Sequence, residues 1–244
     1  KELTPETYMT DVLHSGAVNL VMFVTSKGEC SPCEAGKAEL DAMARKLNGI
    51  VGVNYVDVGK YPEVSQSYGV KSVPTVYVHD AEIGPQGATL APYQGERTAK
   101  LMEKFALSRL PNHVEQVSSK SIDAFLATEP SQPHGLLLTA KTSTAPLLKS
   151  VALEFRHRAP IGEVRAAGEG DNAALMARFG VSELPAFIVV PPSNGEPVQL
   201  EGKPTRASII ELVDRFAAPK VAPKFEAPEA PKAVVRLNEN NFEK

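Results

Sequence analysis

The sequence predicts an α/β fold built from two consecutive domains of one design, and three observations support this. The 244 residues suit two domains of ordinary size, and a hydrophobic content of 43% is enough for two cores. An apolar stretch at 20–24 has the character of a buried strand and precedes a helix with one apolar face. The segment 69–74 also recurs 111 residues later at 180–185, which predicts that the two halves share one fold.

The first half alternates strand and helix patterns with short connections. Thr4 and Pro5 have the character of a helix N-cap and a first-turn residue, and we expect that helix to run to about Ser15. We expect strands at 20–24, 50–58, 75–79 and 88–94 and helices at 62–68 and 97–110. A further helix is expected after the first strand, with Leu40, Met43, Ala44 and Leu47 forming its apolar face.

The sequence has two cysteines, Cys30 and Cys33, and they lie where the first strand meets its helix. A helix N-terminus carries partial positive charge and unpaired amide donors, which favour a thiolate at Cys30. Cys30 is therefore the expected nucleophile. Cys33, one helical turn further on, is expected to attack the mixed disulfide that Cys30 forms with a substrate. Ser31 and Pro32 complete this active-site turn, and Pro32 suits the first turn of a helix.

Two other interpretations of the cysteine pair stay open but are less favoured. Half of a zinc site would need a second pair of ligands, and the five histidines show no ligand spacing, so we predict no metal. A purely structural disulfide would close a very short loop, which removes little chain entropy.

The cysteine turn, the segment 69–75 and the flanking stretches 3–8 and 93–98 resemble the thioredoxin-fold domains of the protein disulfide isomerase family. The resemblance implies two consecutive thioredoxin-like domains, each a central mixed sheet flanked by helices. It also implies that Pro74 is cis and lies beside the cysteines, with the Val73 backbone free to pair with an extended substrate peptide.

The chain departs from the family pattern near the cysteines. Glu29 stands where the family usually has an aromatic residue, most often Trp, and the sequence contains no Trp. Met22 stands where the family usually buries a carboxylate that relays protons to and from the second cysteine, so we expect that relay to be missing. We also expect Glu29 and Glu34 to oppose thiolate formation. The direction of electron flow stays open.

The second half repeats the pattern without its cysteines. We expect a central strand at 135–140, a helix face formed by Leu148, Val151, Ala152 and Phe155, and a terminal helix lined by Ile209, Val213 and Phe216. The stretch 142–145 replaces the cysteine turn. We expect Ser143 and Thr144 to cap the following helix rather than to act as a hydrolytic nucleophile. This half resembles the family's non-catalytic domains, which serve as spacers or peptide-binding surfaces.

The predicted domains are residues 1–110, with the cysteine turn, and residues 111–218, without cysteines. Residues 219–232 form a proline-rich, charged and semi-rigid linker. Residues 233–244 resemble the start of a further thioredoxin-like domain, and a disordered tail is the alternative. If the resemblance holds, we expect this chain to be a segment of a longer multidomain protein.

Charge and hydropathy exclude several classes of function. The net charge of -3 and the scattered basic residues argue against nucleic-acid binding, and no apolar run approaches the roughly 20 residues that span a membrane. The family resemblance implies the endoplasmic reticulum lumen. A cytoplasmic or organelle-associated protein is the alternative, because neither a signal peptide nor a retention signal stands in the sequence.

We predict thiol-disulfide exchange, as an isomerase or oxidoreductase, on protein or peptide clients that carry thiols or disulfides. No metal or organic cofactor is expected, because Cys30 and Cys33 carry the electrons, but the pair needs an outside redox partner. The alternative is a non-catalytic binding or assembly module of a larger complex with a vestigial or regulatory dithiol. The missing Trp and the missing buried acid favour that alternative, whereas the intact cysteine turn opposes it.

Overall fold

The computed structural model describes residues 1–84, 87–165 and 169–220. Its strands gather in two separate sheets, one from each half of the chain, and helices flank both. The fold is the predicted α/β arrangement of two consecutive thioredoxin-like domains with mixed sheets. Apart from residues 219 and 220, the predicted linker and the predicted start of a third domain lie outside the described residues.

The first domain has a four-stranded sheet. Its strands are β1 (Asn19–Val24), β2 (Gly52–Asp57), β3 (Thr75–Gly84) and β4 (Gly87–Tyr93), and its helices are α1 (Pro5–Tyr8), α2 (Ser31–Leu47), α3 (Pro62–Ser67) and α4 (Ala99–Ser108). The strand order is β2-β1-β3-β4. β1 runs parallel to β2 and antiparallel to β3, and β3 and β4 form a hairpin.

The second domain has a five-stranded sheet. Its strands are β5 (Glu115–Gln116), β6 (His134–Thr139), β7 (Ile161–Arg165), β8 (Ala186–Val190) and β9 (Val198–Gln199), and its helices are α5 (Ile122–Ala127), α6 (Pro146–Phe155), α7 (Glu169–Phe179) and α8 (Arg206–Asp214). The strand order is β5-β7-β6-β8-β9. The central strands β1 and β6 occupy matching places, each between one parallel and one antiparallel neighbour.

Strand β1 is buried on both faces because helices cover the first sheet on both sides. Successive side chains of a strand point to opposite faces. Leu20, Met22 and Val24 therefore join a core cluster with α2 and α4, whereas Val21 and Phe23 join a cluster with α1 and α3. This double cover explains why the stretch is continuously apolar instead of alternating.

Several predicted boundaries need correction. Helix α1 ends at Tyr8, and Met9–Leu13 continues as a π-helical segment, in which the amide of His14 donates to the carbonyl of Met9 at 3.0 Å. Strand β3 runs to Gly84 rather than ending at 79, because a register shift lets the hairpin continue. Phe216 lies beyond the end of α8 but still packs against the second core.

The two domains meet at helix α6. Leu148, Val151, Ala152 and Phe155 pack in the second domain's own core, as their spacing predicted. Leu153 lies on another side of this helix, is 3% exposed and packs in the first domain's cluster. Nearby, Arg156 Nη1 donates to the carbonyl of Gly16 at 3.5 Å. The second domain therefore contributes an apolar side chain to the core of the first.

Strand β3 contains a buried histidine, His79, which pairs with Asn19 at the start of β1. His79 is 1% exposed, and its Nε2 lies 2.6 Å from the hydroxyl of Tyr8. The rings of Tyr8 and Tyr68 meet it edge-on at 5.5 Å, and its Nδ1 has no hydrogen-bond partner among the described residues. Burial lowers the pKa of His79 from 6.5 to about 4, and the charge of Asp80 only partly opposes this. The folded chain therefore keeps this imidazole neutral.

We expect the chain to lose stability as the pH falls from about 6.5 towards about 4. His79 is neutral in both states above that range, so it contributes no pH dependence there. Within the range, the unfolded chain binds a proton that the folded chain excludes, so the free energy of unfolding decreases. At about 1.36 kcal/mol per pKa unit, the full loss is about 3 kcal/mol.

Urea unfolding of wild type and His79→Phe near pH 7 and near pH 4.5 measures this effect. The substitution should make the pH dependence shallower, because phenylalanine does not titrate. His157→Phe, at an exposed histidine, should leave the pH dependence unchanged. The same pH dependence in wild type and His79→Phe would show that this histidine does not cause the loss.

Candidate redox site

The two cysteines lie at the start of helix α2. Cys30 occupies the N-cap position, and its carbonyl accepts the amides of Cys33 at 2.9 Å and Glu34 at 3.2 Å. A disulfide joins Cys30 to Cys33, with their Cα atoms 5.2 Å apart. The first amides of α2 and its dipole point to this end of the helix, so they favour negative charge on a Cys30 sulfur after reduction.

The two cysteines of the disulfide differ in exposure to solvent. Cys30 is partly exposed, whereas Cys33 is 0% exposed and lies inside the core cluster under α2. Ser31 and Pro32, between them, are both exposed. A protein that approaches this turn therefore meets Cys30 and not Cys33.

Val73 and Pro74 directly precede strand β3, the antiparallel neighbour of β1. The Val73–Pro74 peptide bond is cis, as the family resemblance implied. Pro74 is buried, and Val73 is half-buried and packs against the cluster that contains Cys33. The pairing of β3 with β1 starts at Thr75, opposite Phe23, so the backbone of Val73 lies outside that ladder.

The side chain beneath the redox helix is apolar. Met22 is 0% exposed and packs so closely on Gly36 of α2 that a Cβ there would lie 2.8 Å from the Met22 sulfur. A thioether neither binds nor releases a proton near neutral pH. Met22 therefore provides no proton relay for Cys33.

The two glutamates beside the cysteines are both exposed. Glu34 Oε1 lies 3.1 Å from Lys37 Nζ, one helical turn along α2. Lys37 also stacks over the ring of Tyr55, with its ammonium 5.3 Å from the ring centre. The charge of Glu34 is thus offset by a neighbouring cation, which weakens the expected opposition to a Cys30 thiolate.

Asp57 was not predicted as a functional residue from the sequence. The fold places it at the base of the redox loop, which is the segment 25–29 between β1 and Cys30. Asp57 is 3% exposed at the end of β2, and its Oδ1 accepts the amide of Ser26 at 3.2 Å and the amide of Gly59 at 2.9 Å. Burial raises the pKa of Asp57, but the hydrogen bonds from Ser26 and Gly59 and the charge of Lys60 lower it below its usual range. This carboxylate is therefore ionised near neutral pH. An aspartate within the largely apolar strand pattern at 50–58 was the available signal.

The second domain has a polar cluster where the first has cysteines. Thr144 does not cap α6 as predicted, because the N-cap is Ala145 and no side chain caps it. Instead, Thr144 Oγ1 donates to Oε2 of buried Glu163 at 2.7 Å. Arg165 Nε donates to the same oxygen at 2.8 Å, and its Nη2 donates to Thr144 Oγ1. The cluster fixes this loop to strand β7 without a disulfide.

The described part of the chain has neither a metal-binding cluster nor a membrane-spanning helix. Within residues 1–84, 87–165 and 169–220, no three His, Cys, Asp or Glu side chains are grouped so as to hold a metal ion. Both cysteines are used in the disulfide. None of the described helices has both the length and the apolar character that crossing a membrane requires.

The thioredoxin family matches residues 1–107. A Dictyostelium discoideum protein that carries the name protein disulfide-isomerase is 28% identical over 219 residues, covering 88% of this chain and 52% of that protein. Protein disulfide-isomerase like 2-2 of Arabidopsis thaliana is 24% identical over 265 residues, covering 93% of this chain and 57% of its own length.

The solved structure of full-length ERdj5 matches the fold over 88% of this chain and 32% of that chain, with a TM-score of 0.50 and 18% sequence identity. The present chain spans about half the length of the curated relatives it matches. Both of these relatives align with the two domains of this chain. Across both domains the chain is similar to proteins named protein disulfide-isomerase, and its residues 1–107 match the thioredoxin family.

Proposed function

We propose that this chain catalyses thiol-disulfide exchange on protein substrates through Cys30 and Cys33. The observation that carries the proposal is the disulfide at the start of α2, with one partly exposed cysteine and one buried cysteine. This arrangement suits a two-step exchange, in which an accessible sulfur meets the client and a protected sulfur completes the reaction. The relatives favour this function over the assembly-module alternative.

The reduced pair would act in two displacements. The Cys30 thiolate attacks one sulfur of a client disulfide, so that a mixed disulfide forms and the other client sulfur leaves as a thiolate, which takes up a proton. The Cys33 thiol then loses its proton to solvent and attacks Cys30 Sγ. This step forms the Cys30–Cys33 disulfide and releases the second client thiol. The chain is oxidised by two electrons and the client is reduced by two.

The reverse sequence would introduce a disulfide into a client, and incomplete cycles would rearrange one. The sulfurs of Cys30 and Cys33 carry both electrons, so the proposed reaction uses no metal or organic cofactor. A separate redox partner must reset the pair after each net oxidation or reduction. Val73 is proposed to hold an extended client segment by its backbone, beside Pro74 and the cysteines.

The proposed compartment is the endoplasmic reticulum lumen. A Cys30–Cys33 disulfide persists in an oxidising compartment, whereas the cytosol keeps most thiols reduced. Imaging of the tagged full-length protein checks this proposal. A diffuse cytosolic signal would support the alternative, a cytoplasmic thioredoxin-like protein.

A turnover assay tests the proposed reaction. The full chain should accelerate the rearrangement of a scrambled disulfide-bonded protein in glutathione buffer, and Cys30→Ser should reduce this rate to the uncatalysed background. Ser143→Ala, at an exposed position of the corresponding turn in the second domain, should leave the rate unchanged. Undiminished turnover by Cys30→Ser would contradict the assignment of the nucleophile.

A further inference from the structure

The segment 25–29 connects strand β1 to Cys30 and needs an anchor. Four of its five residues, 26–29, are exposed, and Gly28 has a positive φ of 75°. The amide of Lys27 donates to Thr25 Oγ1 at 3.1 Å, but this hydrogen bond lies within the segment. It does not fasten the segment to the sheet.

Asp57 provides a fastening from outside the segment. Its Oδ1 accepts the Ser26 amide from the redox loop and the Gly59 amide from the loop after β2. One buried oxygen therefore joins two loops, and the Ser26 amide that it accepts comes from 31 positions earlier in the sequence. Hydrogen bonds to an ionised acceptor are about twice as strong as those between neutral groups. Loss of the carboxylate would leave both amides without this partner.

Close packing between the two loops supports the same interpretation. A Cβ on Gly59 would lie 3.0 Å from Lys27 Cγ and 3.1 Å from both Thr25 Oγ1 and Asp57 Oδ1. The amide of Val58 donates to the carbonyl of Val24 at 2.8 Å, just before the segment begins. The redox loop thus lies directly on the loop after β2, and Asp57 lies at the contact between them.

We propose that Asp57 is a positioning residue for Cys30. Its carboxylate holds the segment 25–29 so that Cys30 keeps its place at the N-terminus of α2, where its thiolate is stabilised and faces a client. The proposal rests on the exchange function proposed above. Displacement of a reacting atom by about 1 Å slows a reaction by up to about 100-fold. Anchoring this loop therefore has a direct effect on the rate of attack.

Two substitutions in the full chain separate positioning from charge. Asp57→Asn and Asp57→Ala both remove the negative charge, but only asparagine keeps an oxygen that can accept the two amides. We expect Asp57→Asn to attack a small aromatic disulfide at close to the wild-type rate constant. We expect Asp57→Ala to be about tenfold slower and to have a higher Cys30 thiol pKa than Asp57→Asn.

A matched control removes another carboxylate of this domain. Asp80 bonds to Arg109 through both of its oxygens, and Asp80→Ala should lower stability while leaving the Cys30 thiol pKa and the rate constant unchanged. If Asp57→Ala does not fold, Gly59→Ala takes its place. Its Cβ would crowd Lys27 Cγ, Thr25 Oγ1 and Asp57 Oδ1, and so disturb the contact between Asp57 and the redox loop without removing the carboxylate. Slowing in the same direction is expected.

Equal rate constants and equal thiol pKa values for Asp57→Ala and Asp57→Asn would overturn the proposal. So would slowing by Asp80→Ala as large as that by Asp57→Ala, because both substitutions would then act only through the stability of the fold. The reaction with the small disulfide measures the rate of attack by Cys30, and it does so whether or not the chain acts on a protein client. A wild-type chain that reacts with this probe but rearranges no client would count against the proposed function and not against the role of Asp57.

Discussion

Cys33→Ser should convert a transient complex into a stable one, so that the reduced variant accumulates as a mixed disulfide with client protein. Cys30 is partly exposed, whereas Cys33 is fully buried beside it. In the proposed mechanism Cys30 attacks the client and Cys33 performs the release. Without the second thiol, release depends on slow attack by outside thiols. We expect a covalent complex on non-reducing gels in near-stoichiometric amount, compared with a trace for wild type.

Cys30→Ser is the matched control for this trapping experiment. It keeps one thiol in the same turn but leaves it at a buried position, so we expect no complex. Mass spectrometry of the trapped species should locate the client sulfur on Cys30. Accumulation of complex by Cys30→Ser, with none for Cys33→Ser, would show that the two cysteines have the opposite roles.

Leu153→Asp should destabilise the first domain although the substitution lies in the second. Leu153 is 3% exposed and packs in the first domain's core cluster, so an aspartate there would bring an unpaired charge into an apolar contact. Leucine to alanine at a buried site already costs about 2–5 kcal/mol, and we expect at least that loss. Urea unfolding followed separately for the two domains measures it.

The unfolding profile also reports whether the domains are coupled. In wild type the two domains should unfold in one shared transition. In Leu153→Asp the first domain should unfold at a lower urea concentration than the second. Leu101→Asp makes the same chemical change at a leucine that is 38% exposed, and we expect a loss below about 1 kcal/mol. A similar small loss for both variants would mean that Leu153 does not join the domains.

The sequence predicted the features that local chemistry determines. The cysteine turn lies at a strand-to-helix junction because an apolar run is followed by an amphipathic pattern, and both signals are local. The repeat at 69–74 and 180–185 predicted that the halves match, and both segments carry a cis proline, Pro74 and Pro185. The cysteine turn and the repeat depend on short stretches of sequence, whereas the cis form of Pro74 was implied by the family resemblance.

Features that depend on contacts between distant segments could not be predicted in this way. Leu153 lies off the apolar face that the periodicity of α6 predicts, and the sequence does not show that the first domain covers it. Asp57 anchors a loop 31 positions away, and nothing in the neighbouring sequence indicates that contact. Thr144 was expected to cap α6, because a hydroxyl before a helix usually does so. Instead, the side chain of buried Glu163 accepts the hydrogen bond of Thr144.

The reduction potential of the Cys30–Cys33 pair is the most direct test of the redox assignment. The full chain would be equilibrated in a series of glutathione buffers, alkylated and weighed by mass spectrometry. We predict one two-electron transition, near about -180 mV for an isomerase or oxidase and near about -270 mV for a reductase. A disulfide that stays oxidised below about -300 mV, or thiols that never form one, would contradict a redox-active pair.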